Sequence, residues 1–216
     1  MGSLNSFAGT TCLVTGGLGF IGSNMANSLA AAGAHVRVLD ALISQHGGDE
    51  RNIDPNLGSV EVVLGNIADE KITKKILVDV DYIFNIAGQV SHHESMIDPL
   101  RDTDINVTSQ LKFLESIRQY RSSAVVVHTS TRQVYGTPQY LPVDEQHPTV
   151  PRDINGVNKL GRELSPSVRH GAWCADSVVT VKQCLWSGPK FAEDRFRVFA
   201  SFYCSSIARA ADRSFW

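Results

Sequence analysis

The stretch that most restricts this chain is TGGLGFIG, residues 15–22, because of what stands on either side of it. Before it, residues 10–15 (TTCLVT) are a short apolar run rich in β-branched residues, which predicts a buried strand. After it, Ile21, Met25, Leu29 and Ala32 recur at helical spacing and Gly33 ends the helix. Gly16, Gly19 and Gly22, with Phe20 and Ile21 among them, therefore join a strand to the helix it feeds. That arrangement suits a diphosphate: a tight turn without Cβ, close backbone approach, and the N–H donors of a helix N-terminus. Asp40 closes the next strand, residues 35–40 (HVRVLD). A carboxylate there can accept from both hydroxyls of an adenosine ribose and repels a 2′-phosphate, which favours NAD over NADP. The bland alternative is a tight turn that binds nothing.

The alternation continues downstream. Strands are predicted over 60–67, 81–88 and 124–130. A helix over 69–80 carries Ile72, Ile76 and Leu77 on one face. A long helix over 98–120 turns Ile105, Ser109, Leu111, Phe113, Leu114 and Ile117 inward. Continuous apolar strands alternating with helices predict a doubly wound, Rossmann-like α/β fold, its parallel sheet covered on both faces. Asn66 and Ile67 end the third strand, where they would border an adenine. Ala87 and Gly88 end the fourth, where small residues allow close approach to the middle of a dinucleotide. Both places are carboxyl ends of strands, where such sheets bind ligands.

Composition narrows the function by exclusion. The 216 residues suit one domain with a sizeable core, or one domain plus a fragment. A net charge of -2 gives no basic footprint for nucleic acid. No apolar run approaches the roughly 18 residues of a membrane span, and residues 1–11 lack a secretory pattern. Gly2 and Ser6 match a myristoylation pattern, although an ordinary leader is the plainer reading. Cys12, Cys174, Cys184 and Cys204 show neither a CxxC pair nor metal-ligand spacing. Free thiols in a reducing, cytoplasmic setting and no metal site are the expectation.

The blocks TGGLGFIGS, VLD, GNIAD, NIAGQVS, DPLRDTDINVTSQLKFLES, HTSTRQVYG and LPVDEQHPTVPRDINGVNKLGRE run in this order from about residue 10 to 164. In them the chain resembles the extended short-chain dehydrogenase/reductase family, the NAD-dependent nucleotide-sugar epimerases and dehydratases. The resemblance implies isomerase or lyase chemistry on a nucleotide-sugar substrate, by transient hydride transfer to bound NAD. A tyrosinate takes the proton of a sugar hydroxyl, and a Ser or Thr hydroxyl beside it corresponds to Thr131. A lysine four residues past the tyrosine contacts the nicotinamide ribose and corresponds to Lys159. A homodimer through the helices near 98–120 and 152–164 is also implied.

The tyrosine position itself holds Asn155, and an amide is no base at neutral pH. The block D-x-NG-x-NK resembles an epimerase-like subgroup in which Asn orients the sugar. Tyr135, His92 and His93 are then the candidates to move the proton, against the plainer readings of a packed tyrosine and a polar SHHES loop. A non-catalytic or truncated NAD-binding protein is the alternative, and a reductase of small carbonyls a weaker one.

From about Ser165 the strand–helix alternation stops. Residues 165–216 hold Cys174, Cys184 and Cys204 and all three tryptophans, Trp173, Trp186 and Trp216. Back-translated and shifted by one nucleotide, this tail can read in the family's pattern. The expectation is an NAD-binding domain over 1–164 and an atypical, frameshifted and poorly packed tail over 165–216.

Overall fold

The computed structural model describes residues 7–44, 46–121, 123–144, 146–168 and 178–181. Six strands form one sheet: β1 (Thr11–Thr15), β2 (His35–Asp40), β3 (Val60–Leu64), β4 (Tyr82–Asn85), β5 (Val125–Thr129) and β6 (Val178–Val181). Their order is β3-β2-β1-β4-β5-β6 and every pairing is parallel. The chain starts in the middle, steps outward to β3, then returns to the other flank of β1. Strand order thus reverses between β1 and β4. A crevice opens at such a switch point, beyond the carboxyl ends of the strands.

The continuous apolar runs are explained by burial on both sides. Side chains alternate along a strand, so Cys12, Val14, Val38, Phe84 and Val127 face one core, with Leu18, Met25 and Leu29. Leu13, Leu39, Ile83 and Val126 face the other, with Ile76, Leu77, Phe113, Leu114 and Ile117. The first core lies under α1 (Phe20–Ala31) and the second under α2 (Glu70–Ile76) and α5 (Ser109–Tyr120).

The expected long helix over 98–120 is broken. It begins as α4 (Pro99–Thr103), after α3 (His92–Ile97), and passes through a π-helical turn (Asp104–Thr108) before α5. Pro99 opens α4, where its missing N–H costs nothing, and the Asp98 carboxylate accepts from the Arg101 amide. Leu111, expected inside, is 42% exposed, while Asn106 and Gln110 are buried in its stead. The inner stripe runs through Asn106, Gln110, Phe113, Leu114 and Ile117, and Leu111 falls outside it. SHHES, read as a polar loop, instead starts α3, with the Ser91 hydroxyl accepting from the Glu94 amide.

Two described pieces lie beyond residue 164. α6 (Ile154–Val168) runs on past it, and Val178–Val181 adds a sixth parallel strand, Val126 pairing with Val178 and Thr129 with Val181. A run of β-branched residues can add to the parallel edge left by β5. The rest of the tail, with its cysteines and tryptophans, lies outside the described residues, as does the Gly2–Ser6 pattern. Among the described residues no helix is long and apolar enough to cross a membrane.

Candidate active site

The glycine loop is shaped by backbone crowding. Gly16 has a φ of +66°, and its amide donates to the Leu39 carbonyl across the β1–β2 junction at 2.8 Å. A Cβ on Gly16 would lie 2.8 Å from the Ala87 Cα, and one on Gly22 would lie 2.1 Å from the Gly16 carbonyl oxygen. A Cβ on Gly19, in contrast, meets only the Gly16 oxygen at 3.4 Å. Gly19 caps α1 without any side-chain hydrogen bond, and no acidic residue lies in the first turn. The positive end of α1 is thus left open toward the crevice, the arrangement that suits an anion.

Asp40 anchors this loop from the end of β2. One carboxylate oxygen accepts from the Leu18 amide at 3.0 Å and the other from the Leu42 amide at 2.9 Å. Each oxygen keeps further acceptor capacity, and Asp40 borders the crevice.

The crevice has a volume of about 390 Å³. Gly16, Gly19, Phe20, Ile21, Gly22, Asp40, Asn66, Ile67, Ala87 and Gly88 all line it, so four segments far apart in sequence converge there. His46, Gly48, Val90 and Gln110 line it as well and were not singled out from the sequence. Ile105 and Ser109, expected only as inward helix residues, complete the wall. The π-helical turn and α5 bring them there, which sequence periodicity at 3.6 cannot foresee.

Beneath the crevice a buried polar network pins the end of β4. The Thr15 hydroxyl donates to Asn85 Oδ1 at 2.8 Å and accepts from the Ile86 and Ala87 amides. Asn85 Nδ2 donates to Gln110 Oε1, and Gln110 Nε2 donates back to the Ala87 carbonyl, each at 2.9 Å. Arg162, only 1% exposed, donates from Nη1 to the Ala87 carbonyl at 3.0 Å and from Nη2 to the Asn85 carbonyl at 2.9 Å. His128 is buried alongside; burial first, then the positive charges of Arg162 and Lys159, hold its pKa well below the usual histidine range. It is therefore neutral.

Lys159 reaches the same place from α6. A Cβ on Gly88 would lie 2.7 Å from Lys159 Nζ, 2.8 Å from Asn106 Oδ1 and 3.1 Å from Arg162 Nη1. Lys159 does not itself line the crevice; it stands behind the Gly88 wall. Burial, then the neighbouring Arg162, lowers its pKa to about 7, with Asp102 opposing.

Asn155 is 1% exposed and turned inward, its Nδ2 donating to the Gln89 carbonyl at 3.2 Å and to Asp102 Oδ2 at 3.1 Å. Asn158 Nδ2 donates to Asp102 Oδ1 at 2.8 Å. The two amides thus clamp the buried Asp102 of α4 onto α6, and Asn155 is not part of the crevice wall. Asp102 was not singled out from the sequence, where it reads as one acid in a polar helix.

Thr131 caps the short 3₁₀ turn Arg132–Tyr135, its hydroxyl accepting from the Gln133 amide. Gln133 Nε2 donates to Asp153 Oδ2 at 3.4 Å, and Asp153 Oδ1 accepts from the Gly156 amide at the start of α6. Thr131 is therefore tied to the N-terminus of α6, outside the crevice wall. Tyr135 is buried with its ring edge-on to His147 at 5.3 Å. His92 is exposed and lies 3.7 Å from Asp153 Oδ2, while His93 is exposed on α3.

A doubly wound parallel sheet, a glycine loop opening onto a bare helix N-terminus and an acid at the end of β2 together define a Rossmann-like nucleotide-binding domain. Residues 13–168 match the family described as GDP-mannose 4,6 dehydratase. The chain belongs to that family, within the extended short-chain dehydrogenase/reductases of the epimerase/dehydratase type. It is 39% identical over 153 residues to a protein of Methanocaldococcus jannaschii named as a candidate UDP-glucose 4-epimerase, covering 70% of this chain and 48% of that one. It is similar in structure to a UDP-N-acetylglucosamine 4-epimerase from Methanobrevibacter ruminantium, solved with UDP-N-acetylmuramic acid, at a TM-score of 0.73 and 28% identity. That match covers 81% of this chain and 55% of the other. A dTDP-glucose 4,6-dehydratase from Streptomyces venezuelae, solved with NAD bound, matches at a TM-score of 0.74 and 29% identity, covering 83% and 57%. The chain spans less than half the length of the curated relatives it matches.

Proposed function

We propose that this chain binds NAD in the crevice and belongs to an enzyme that epimerises or dehydrates a nucleotide-linked sugar. The observation that carries this reading is the crevice itself: an uncapped helix N-terminus behind the glycine loop, with Asp40 at the end of β2. The residues present fit the cofactor. The amides at the start of α1, beside Gly16, Gly19 and Gly22, would receive its diphosphate. Asp40 would accept from the adenosine ribose hydroxyls, and Asn66 and Ile67 would border the adenine. Ala87 and Gly88 would pass its middle, and Lys159 would meet the nicotinamide ribose past Gly88. When bound, NAD would supply a reversible acceptor for a hydride from the sugar. Asp40 already holds two backbone amides and can receive a ribose without rearrangement, which is a pre-organised site. Thr131, capping the 3₁₀ turn beside the N-terminus of α6, is proposed to face the sugar. Asn155 acts by fixing Asp102 and α6.

The test is NAD titration by calorimetry followed by incubation with UDP-glucose and dTDP-glucose, read by NMR of the sugar. Bound NAD and a changed sugar without net NADH formation are expected. Failure to bind NAD at millimolar concentration would refute the proposal. NAD bound with no sugar turnover would favour the second reading, a non-catalytic NAD-binding protein, which the inward-turned Asn155 also motivates.

A further inference from the structure

Among the described residues, the polar side chains that line the crevice are Asp40, His46, Asn66, Ser109 and Gln110. All but Ser109 already face a partner in the protein. The Asp40 oxygens accept from the Leu18 and Leu42 amides. His46 Nε2 stands 3.9 Å from Glu94 Oε2. Asn66 Oδ1 accepts from the Ala68 amide at 2.8 Å. The Gln110 amide is engaged at both ends, by Asn85 Nδ2 and by the Ala87 carbonyl. Ser109 is 6% exposed and borders the crevice, yet its hydroxyl makes no hydrogen bond among the described residues. A polar group so deeply buried ordinarily has a partner.

The fold puts that hydroxyl at one end of the crevice. Ser109, Phe113 and Ser116 recur at i, i+4 and i+7, so they share one face of α5. That face looks onto α2: Thr73 Oγ1 donates to Ser116 Oγ at 3.1 Å, and Phe113 shares its core with Ile67 and Ile76. α2 precedes β4 and α5 precedes β5, so both helices run back from the carboxyl ends of the strands. Two turns before Ser116 on α5 stands Ser109. The chain that enters α2 on the same side is Asn66–Ile67, and both of those residues border the crevice. Helical side chains lean toward the helix N-terminus, which tilts Ser109 to the crevice rather than down into the core. Gln110, one residue on, bonds to the end of β4 instead. Ser109 therefore stands with Asn66 and Ile67.

We propose that Ser109 reads the base of the dinucleotide, its hydroxyl oxygen accepting from the 6-amino group of adenine. This rests on the NAD reading above, in which Asn66 and Ile67 border that base. The donor and acceptor chemistry matches. With Oδ1 turned to the Ala68 amide, Asn66 offers Nδ2, a donor, which suits a ring nitrogen. A base held that way has its amino group still to satisfy, and a hydroxyl oxygen with two lone pairs satisfies it. Ser109 has no protein partner to give up, so the new hydrogen bond replaces nothing but water. The residue thus selects a 6-aminopurine over a purine that lacks the amino group.

The test compares NAD with nicotinamide purine dinucleotide, the analogue that carries hydrogen in place of the 6-amino group, by calorimetric titration of the full chain. The wild type is expected to bind NAD about three- to tenfold more tightly than the analogue, the range of one neutral hydrogen bond. Ser109→Ala is expected to lose that preference, with NAD affinity falling about three- to tenfold and affinity for the analogue unchanged. Its melting temperature should stay within about 1 °C of the wild type, because no hydrogen bond within the protein is removed. A wild type without the preference, or a Ser109→Ala that keeps it, overturns the inference and leaves NAD binding standing. So does a variant that weakens both dinucleotides alike, or one that melts lower with unchanged affinities, since the hydroxyl then has a structural part only. Should the wild type bind neither dinucleotide at millimolar concentration, the proposed function fails and the role of Ser109 with it.

Discussion

Two alanines in one loop should separate folding from binding. At Gly22 an added Cβ would sit 2.1 Å from the Gly16 oxygen, 2.7 Å from the Gly17 Cα and 2.8 Å from the Gly16 carbonyl carbon. All three are backbone atoms, so no side chain can swing aside and the β1–α1 junction itself must move. Overpacking of that kind costs about 1–3 kcal/mol. For a chain of this length each kcal/mol lowers the melting temperature by roughly 2–4 °C, so Gly22→Ala should melt on the order of 2–12 °C lower. Because the displaced loop forms the crevice wall, NAD affinity should fall as well. At Gly19 the added Cβ has the Gly16 oxygen at 3.4 Å as its only neighbour, and the φ of -75° is one any residue adopts. Gly19→Ala should therefore melt within about 1 °C of the wild type, since surface changes away from packed features are nearly neutral. Its Cβ would occupy the crevice, so NAD affinity should fall by tenfold or more, about 1.4 kcal/mol. Circular dichroism melts and calorimetric NAD titrations of both variants give the answer. Unchanged melting of Gly22→Ala, or unchanged affinity of Gly19→Ala, would refute the assignment of roles within the loop.

Asp40→Asn keeps the side-chain size but turns one acceptor into a donor facing either the Leu18 or the Leu42 amide. A loss of about 1–3 kcal/mol in urea unfolding is expected, with NAD binding weakened relative to NADP; an unchanged NAD:NADP preference would count against its ribose role. Stability should also rise with pH above neutrality. The folded pKa of Lys159, about 7, lies below its ordinary 10.5. Between those values the unfolded chain holds more protons, so this contribution is lowest below about 7 and grows until about 10.5, by up to ~4–5 kcal/mol at 1.4 kcal/mol per unit. His128, buried neutral, adds a loss of stability as pH falls through about 6.5, its ordinary value. Urea midpoints from pH 5 to 9.5 check both, and a rise above pH 7 that persists in Lys159→Met would assign the effect elsewhere.

The sequence by itself determined the doubly wound sheet, its strand positions through β5, and the residues of the crevice wall near the glycine loop. Those are local signals: continuous apolar runs rich in β-branched residues, apolar residues at helical spacing, and glycines between a strand and the helix it feeds. It did not reveal that Gln110 and His46 share the crevice, that Leu111 faces out, or that Val178–Val181 completes the sheet edge. Each depends on the π-helical turn, on strand order or on the course of the β2–β3 connection, which no local pattern encodes. Asn155 is the sharpest case. In sequence it stands where a catalytic tyrosine is expected, four residues before Lys159. In the fold its amide turns inward to Asp102 and Gln89, while Lys159 and Arg162 meet behind Gly88. Which side chains share a buried space, and therefore which of them can keep a charge, is a property of packing across β4, β5, α4 and α6. Only the tertiary structure decides it.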